Sequence, residues 1–178
     1  TMKKTIIIAA AATVLTACAP APDNSINVVP YPNEVNIKSG SFDAAGAEFH
    51  YAPELDEASI DIIEGLAGQL SLVSGKNSTV DADGSRDGFI FTVNPQLAEE
   101  AYRLNISKKA VCVEASSLRG FNYAVQTIKQ MLPAEIFGKA EAAALDWSLP
   151  CCEINDAPRF GYRGMHMDVV RHFFDMNM

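Results

Sequence analysis

The chain predicts an α+β domain, an antiparallel-rich sheet covered by two helices, and three observations carry that prediction. Apolar residues recur at three- and four-residue spacing in two stretches, 57–74 and 118–132. Several short runs alternate apolar with polar residues, as half-buried strands do. Gly, Pro, Asn and Asp punctuate the runs. A helix with one apolar stripe and a strand with one apolar face must each be covered, and each can cover the other. At 48% hydrophobic with a mean hydropathy of +0.04, the 178 residues can supply the core this needs.

The first residues stand outside the fold. Lys3 and Lys4 are followed by an apolar run from Ile6 to Val14, too short to anchor stably across a bilayer. Leu15-Thr16-Ala17-Cys18 then closes it with small residues before a cysteine. The order is similar to a bacterial lipoprotein signal, which implies a signal peptide over 1–17, cleavage before Cys18 and lipid on Cys18. The other reading is an ordinary secretory signal with Cys18 incidental. Residues 18–25, with Ala-Pro-Ala-Pro at 19–22, read as an extended tether.

A domain is expected over 26–150. Val28-Val29-Pro30-Tyr31-Pro32 is apolar, but its prolines suit an edge or a lead-in. Glu34 to Lys38 alternates, and Ser39-Gly40 is read as the turn that ends it. Glu48 to Tyr51 is a short strand candidate. The first helix, 57–74, carries Ile60, Ile63, Ala67, Leu70 and Val73 on one face. Gly75 is its stop, and Gly65 and Gly68 are read as points of close approach to a sheet. Residues 75–88 read as a loop and Phe89 to Val93 as a strand. Tyr102–Ile106 and Ala110–Ala115 form a hairpin, with Tyr102, Leu104 and Ile106 facing Val111 and Val113. The second helix, 118–132, steps through Leu118, Phe121, Val125, Ile128 and Leu132. Ser116 or Ser117 caps it and Pro133 follows it. Residues 135–144 are weakly patterned. Trp147 to Ile154 is read as a lead into the terminal stretch.

Composition removes several classes of function. A net charge of −8 and a pI near 4.8 argue against a nucleic-acid partner. His50, His166 and His172 have no metal-ligand spacing, and no cysteine pair resembles a zinc site. Beyond Cys18, the cysteines Cys112, Cys151 and Cys152 are expected as free or buried thiols; adjacent Cys151 and Cys152 bridge only under strain. No metal and no cofactor is expected.

Three separated stretches carry a resemblance. The first is Asn27-Val28-Val29-Pro30-Tyr31-Pro32 with Ser41-Phe42. The second joins Glu100-Ala101-Tyr102-Arg103-Leu104-Asn105-Ile106-Ser107 to Arg119-Gly120-Phe121-Asn122-Tyr123-Ala124-Val125-Gln126-Thr127-Ile128-Lys129-Gln130-Met131-Leu132-Pro133. The third runs from Pro158 to Phe174 and is the most specific, with Tyr162-Arg163-Gly164 before Asp168 and Arg171-His172-Phe173-Phe174. In this order and spacing the chain resembles bacterial β-N-acetylhexosaminidases. The resemblance implies that 26–150 is the family's non-catalytic N-terminal domain. It also implies that 151–178 begins a (β/α)8 barrel truncated here, its first strand near Tyr162 to Val169.

The implied activity is removal of terminal N-acetylglucosamine or N-acetylgalactosamine with retention. It is one of the substrate-assisted exceptions to the two-carboxylate scheme. The substrate's acetamido oxygen attacks the anomeric carbon, an Asp holds the acetamide and the adjacent Glu is general acid. No match to that Asp-Glu motif is present. Asp56-Glu57 precedes a helix of the first domain and takes no catalytic role, so no catalytic residue is expected in this chain.

Arg163 is the one site residue that the resemblance carries over. A guanidinium is a fork of donors with no acceptor, suited to sugar hydroxyls. The residues alone allow a second reading, a structural cation paired to a carboxylate at the barrel floor. By strand alternation His166 and Asp168 face away from Arg163. His166 is then a core or interface histidine, while Asp168, Arg171 and His172 organise the loop at the strand end. The expected whole is a lipid-anchored exo-hexosaminidase at the cell envelope of a Gram-negative bacterium, in its outer membrane, acting on glycans. The alternative is a non-catalytic lipoprotein that binds glycans or partners.

Overall fold

The computed structural model describes residues 26–82 and 86–166. Strands β1 (Glu34–Asp43) and β2 (Phe49–Tyr51) precede helix α1 (Glu57–Ser74). Strands β3 (Val80–Asp81), β4 (Gly88–Val93), β5 (Tyr102–Ile106) and β6 (Ala110–Ala115) follow. Helix α2 (Leu118–Met131), a 3₁₀ turn (Ala134–Phe137) and β7 (Ser148–Asp156) complete the order. The strands form one sheet in the order β1-β7-β5-β6-β4-β2-β3.

The sheet is mixed, which corrects the antiparallel-rich expectation. β1–β7, β7–β5 and β5–β6 are antiparallel, whereas β6–β4, β4–β2 and β2–β3 are parallel. Parallel neighbours require crossovers. Helix α1 is the crossover from β2 to β3, and α2 carries the chain from β6 past β5 to β7.

Both helices start and stop where local chemistry dictates. Asp56 caps α1, its carboxylate accepting from the Ser59 amide and hydroxyl at 2.9 Å each. That role accounts for Asp56-Glu57 as a helix start. Gly75 ends α1 in the left-handed region, at φ 69°, with its amide donating to the Ser71 carbonyl. Ser117 caps α2 through the Arg119 amide. The stripes Ile63, Leu66, Leu70, Val73 and Phe121, Val125, Ile128 are buried against one face of the sheet. There Phe49 stacks on Phe89 at 4.3 Å, and Phe42 meets Phe89 edge-on. Along β5 the opposite face carries exposed Arg103 and Asn105. His50, on β2, is buried, with its Nε2 3.6 Å from the exposed Glu48 carboxylate.

The hairpin register is the expected one, with Leu104 opposite Val113 and Ile106 opposite Val111. Three other expectations change. Ser39-Gly40 does not end β1: the strand continues to Asp43 through a register shift between Ile37 and Ser41, with Gly40 at φ 107°. Residues 75–88 include the two-residue edge strand β3. The boundary drawn at 150 falls inside β7, which lies between β1 and β5 and extends to Asp156. Cys151 and Cys152 are thus buried strand residues, and burial raises the Cys152 thiol to about 11.

The glycines of α1 are also corrected. Nothing lies within 4 Å of where a Cβ would sit at Gly65 or Gly68, so neither marks a close approach. That role belongs to Gly120, whose Cβ position falls 2.5 Å from the Ala101 carbonyl oxygen and 2.8 Å from the Ala115 Cβ. Helix α2 therefore lies tight against the start of β5, which fixes the local geometry of the site.

Candidate functional site

The candidate site lies where three segments converge beside α2. Asn33, just before β1, grips the exit of β7: its amide donates to the Asp156 carboxylate at 3.0 Å and its side chain donates to the Ala157 carbonyl at 2.7 Å. Arg159 Nε donates back to the Asn33 side chain at 2.9 Å. The lead-in is tied to α2 by the Val29 amide, which donates to Gln130 Oε1 at 2.8 Å. Beneath them, Tyr102 and Thr127 share a buried hydroxyl hydrogen bond of 2.7 Å, and Tyr102 donates to Asp156 at 3.4 Å. Burial raises the Tyr102 phenol well above its ordinary value.

These contacts leave a groove of about 550 Å³ between the lead-in, α2 and the terminal stretch. Its walls include Tyr31, Tyr123 and Phe160, and Arg163 stands at its edge. Tyr31 and Phe160 are 54% and 73% exposed, so large apolar faces line an open surface.

Arg163 is held by this domain. Its Nη2 donates to Glu100 Oε1 at 2.7 Å and to the Tyr123 hydroxyl at 3.1 Å, and its Nη1 donates to the Phe160 carbonyl at 2.6 Å. The guanidinium also lies 5.9 Å from the centre of the Tyr123 ring. Tyr123 donates to Glu100 at 3.2 Å. Arg119 approaches Glu99 at 3.4 Å and Glu100 at 3.9 Å. The hydrogen bond from Arg163 is the chief reason that the Glu100 carboxyl stays below its ordinary range. The bond to Glu100 in turn raises Arg163.

Local structure explains why Glu100 stands there. Ser116 and Ser117, at the start of α2, donate to the carbonyls of Ala98 and Glu99. The loop before β5 is thereby laced to the helix. Tyr123 lies on α2 one turn beyond Gly120, where helix and loop are closest.

The sequence singled out Arg163, and the structure brings it to Glu100 and Tyr123, which sequence reasoning left without roles. Glu100 is 63 residues from Arg163 and Tyr123 is 40. Both sat inside the quoted stretches, and nothing local marked them. The contact with Glu100 matches the carboxylate-pairing alternative in kind, although the carboxylate belongs to the α+β domain.

The expected first barrel strand is not present among the described residues: 157–166 contain no strand. His166 is exposed, so of its two expected settings, core or interface, the structure does not show the core one. Met167, Asp168, Val169, Arg171 and His172 lie outside the described residues, as do the signal peptide, Cys18 and the tether. Among the described residues, no group of three His, Cys, Asp or Glu could hold a metal ion, and no helix is long and apolar enough to cross a membrane.

Comparison with known proteins places these observations. Residues 25–157 match the model of glycosyl hydrolase family 20, domain 2. The chain is 31% identical over 163 residues to a β-hexosaminidase of Porphyromonas gingivalis, covering 88% of this chain and 20% of that one. It is 32% identical over 135 residues to an N,N'-diacetylchitobiase of Vibrio harveyi, covering 67% of this chain and 14% of that protein. Among solved structures, a family 20 β-N-acetylhexosaminidase from Streptomyces coelicolor A3(2) superposes with a TM-score of 0.72 at 25% identity, covering 83% of this chain and 30% of that one. An exo-β-N-acetylglucosaminidase from Vibrio harveyi, solved with N-acetylglucosamine, gives a TM-score of 0.62 at 30% identity over 84% of this chain and 22% of that one. The chain thus spans a fifth of the Porphyromonas relative.

Proposed function

Because the chain belongs to glycosyl hydrolase family 20, we propose that it is the N-terminal part of a retaining exo-β-N-acetylhexosaminidase. The enzyme would release terminal N-acetylglucosamine or N-acetylgalactosamine from glycans. The observation that carries the reading is one of order. The match to domain 2 over 25–157 is followed at once by Pro158-Arg159-Phe160-Gly161-Tyr162-Arg163-Gly164, the head of the stretch that most resembles the family. The groove edged by Arg163 is consistent with it.

The division of labour follows from the chemistry. Retention with substrate assistance needs an Asp to hold the acetamide and a Glu to protonate the leaving oxygen. Neither role is assigned within these 178 residues. Arg163 supplies N–H donors to hydroxyls of the terminal sugar, a contact that positions the substrate and does not protonate it. The α+β body is the scaffold from which the arginine-bearing stretch departs. We further propose lipid on Cys18, with the enzyme held at the outer membrane of a Gram-negative envelope.

The test is an assay with a chromogenic N-acetylglucosaminide. Residues 19–178 alone should give no turnover. The same residues joined to the sequence that follows them in the gene should hydrolyse it with retention at the anomeric carbon. Turnover by 19–178 alone would overturn the division of labour, and no turnover by the longer protein would overturn the reading.

A further inference from the structure

We propose that the free edge of β1 is a self-complementary surface that pairs with a second copy of this chain. The two edge strands run antiparallel about a two-fold axis at Asn36, and the two sheets become one.

The backbone supplies the first requirement. β1 stands at one end of the sheet, with β7 as its neighbour. On its other side, the outward N–H and C=O groups of the strand have no ladder partner among the described residues. The opposite edge of the sheet, β3, is two residues long and offers no comparable template.

Side chains set the register. The edge reads Glu34-Val35-Asn36-Ile37-Lys38. Antiparallel pairing centred on Asn36 sets Glu34 opposite Lys38 of the second copy, Val35 opposite its Ile37, and Asn36 opposite its counterpart. Val35 and Ile37 are half-buried on the helix-covered face, in register with the buried Ile154 and Cys152. Glu34, Asn36 and Lys38 are exposed on the open face. Each pair therefore matches in kind: charge with opposite charge, apolar with apolar, amide with amide. A slip of one residue would set Val35 or Ile37 opposite a polar side chain.

The charges are not exhausted within one copy. Lys38 donates to Glu153 at 2.6 Å, and its ammonium has further donors. Glu34 accepts from Asn155 at 3.2 Å through one of its two oxygens. The ends of the surface are also defined. Pro32, which lacks an N–H, precedes it, and the register shift between Ile37 and Ser41, with Gly40 at φ 107°, follows it. So short a ladder buries less than a tight complex needs, and the dimer is weak.

The test uses the longer enzyme begun at Ala19, so that no lipid contributes. Sedimentation equilibrium up to about 0.2 mM, where a weak contact is populated, should show monomer and dimer exchanging. Glu34→Lys and Lys38→Glu each set like charges opposite one another twice in the dimer, and each should raise Kd at least about tenfold. A mixture of these two variants should associate as a heterodimer, because both oppositions are then restored. Thermal unfolding checks that each variant is folded. A monomeric wild type would overturn the proposal. A Kd indifferent to both reversals, or a mixture that fails to associate, would do the same. Cross-linking tests the register without altering a charge. With the free, half-buried Cys112 removed by Cys112→Ser, Asn36→Cys should form a disulfide-linked dimer under mild oxidation. Facing Cα atoms about 4.5–5.5 Å apart lie within disulfide reach. Ser39→Cys, beyond the paired segment, should not. No cross-link from Asn36→Cys, or equal cross-linking from both, would contradict the pairing.

Discussion

Two regions of this chain are held by different physics. The sheet and its two helices, 26–156, are held by burial: Phe49, Phe89, Ile63, Leu66, Leu70 and Ile128 have no measurable exposure. The stretch 157–166 buries none of its large apolar side chains, and Phe160, Tyr162 and Met165 are 73%, 91% and 86% exposed. It stays against the body through Asn33, Glu100 and Tyr123. Burial is non-directional and tolerates approximate shapes, whereas a guanidinium fork sets an angle. The first region suits holding a fold and the second suits presenting an arginine.

The comparison is most readily broken in the core. Phe89→Ala removes a ring stacked on Phe49 and met edge-on by Phe42. It should cost about 3–5 kcal/mol in urea unfolding. A cost under about 1 kcal/mol would mean that burial is not what holds the body. Gly120→Ala comes next. Helix propensity alone would favour alanine by about 1 kcal/mol. The new methyl would fall 2.5 Å from the Ala101 carbonyl, an overlap worth about 1–3 kcal/mol against folding. Net destabilisation is expected, with chemical-shift changes running into the loop that carries Glu100.

Smaller effects sharpen the contrast at the helix ends. Asp56→Ala should cost about 1 kcal/mol through the lost cap. The cap is also pH-dependent. Hydrogen bonds from the Ser59 amide and hydroxyl lower the Asp56 carboxyl from its ordinary 3.8. Its stabilisation is therefore present above the unfolded value and lost as pH falls through the lower folded value. An acid titration of unfolding free energy should show that loss in wild type and its absence in Asp56→Ala. Smallest, and opposite in sign, Gly65→Ala and Gly68→Ala should each stabilise by about 0.4–1 kcal/mol, since open space surrounds both positions.

What was legible in the sequence follows the same division. Helix α1, helix α2 and the β5–β6 hairpin carry their periodicity in one continuous run, so their limits and faces could be read nearly in full; on α2, Leu118 of the expected stripe is exposed and Leu132 lies just past the helix end. Strand β7 could not, because Pro150 and the Cys151-Cys152 pair interrupt any alternation. Gly40 imitates a turn because a glycine at positive φ serves a bulge equally well. Parallel pairing of β2 with β3 and β4 leaves no local mark at all. At the site, Arg163 stood out through its place in the Tyr162-Arg163-Gly164 pattern of the stretch that carries the family resemblance. Its partners did not, because only the folded sheet brings Glu100 and Tyr123 to it.

The most direct test of this division is one substitution read twice. Arg163→Ala, made in the longer enzyme, should leave the urea unfolding midpoint of the α+β body unchanged and raise KM for an N-acetylglucosaminide at least about tenfold. A fallen midpoint with an unchanged KM would contradict the account, because Arg163 would then belong to the fold and not to the substrate.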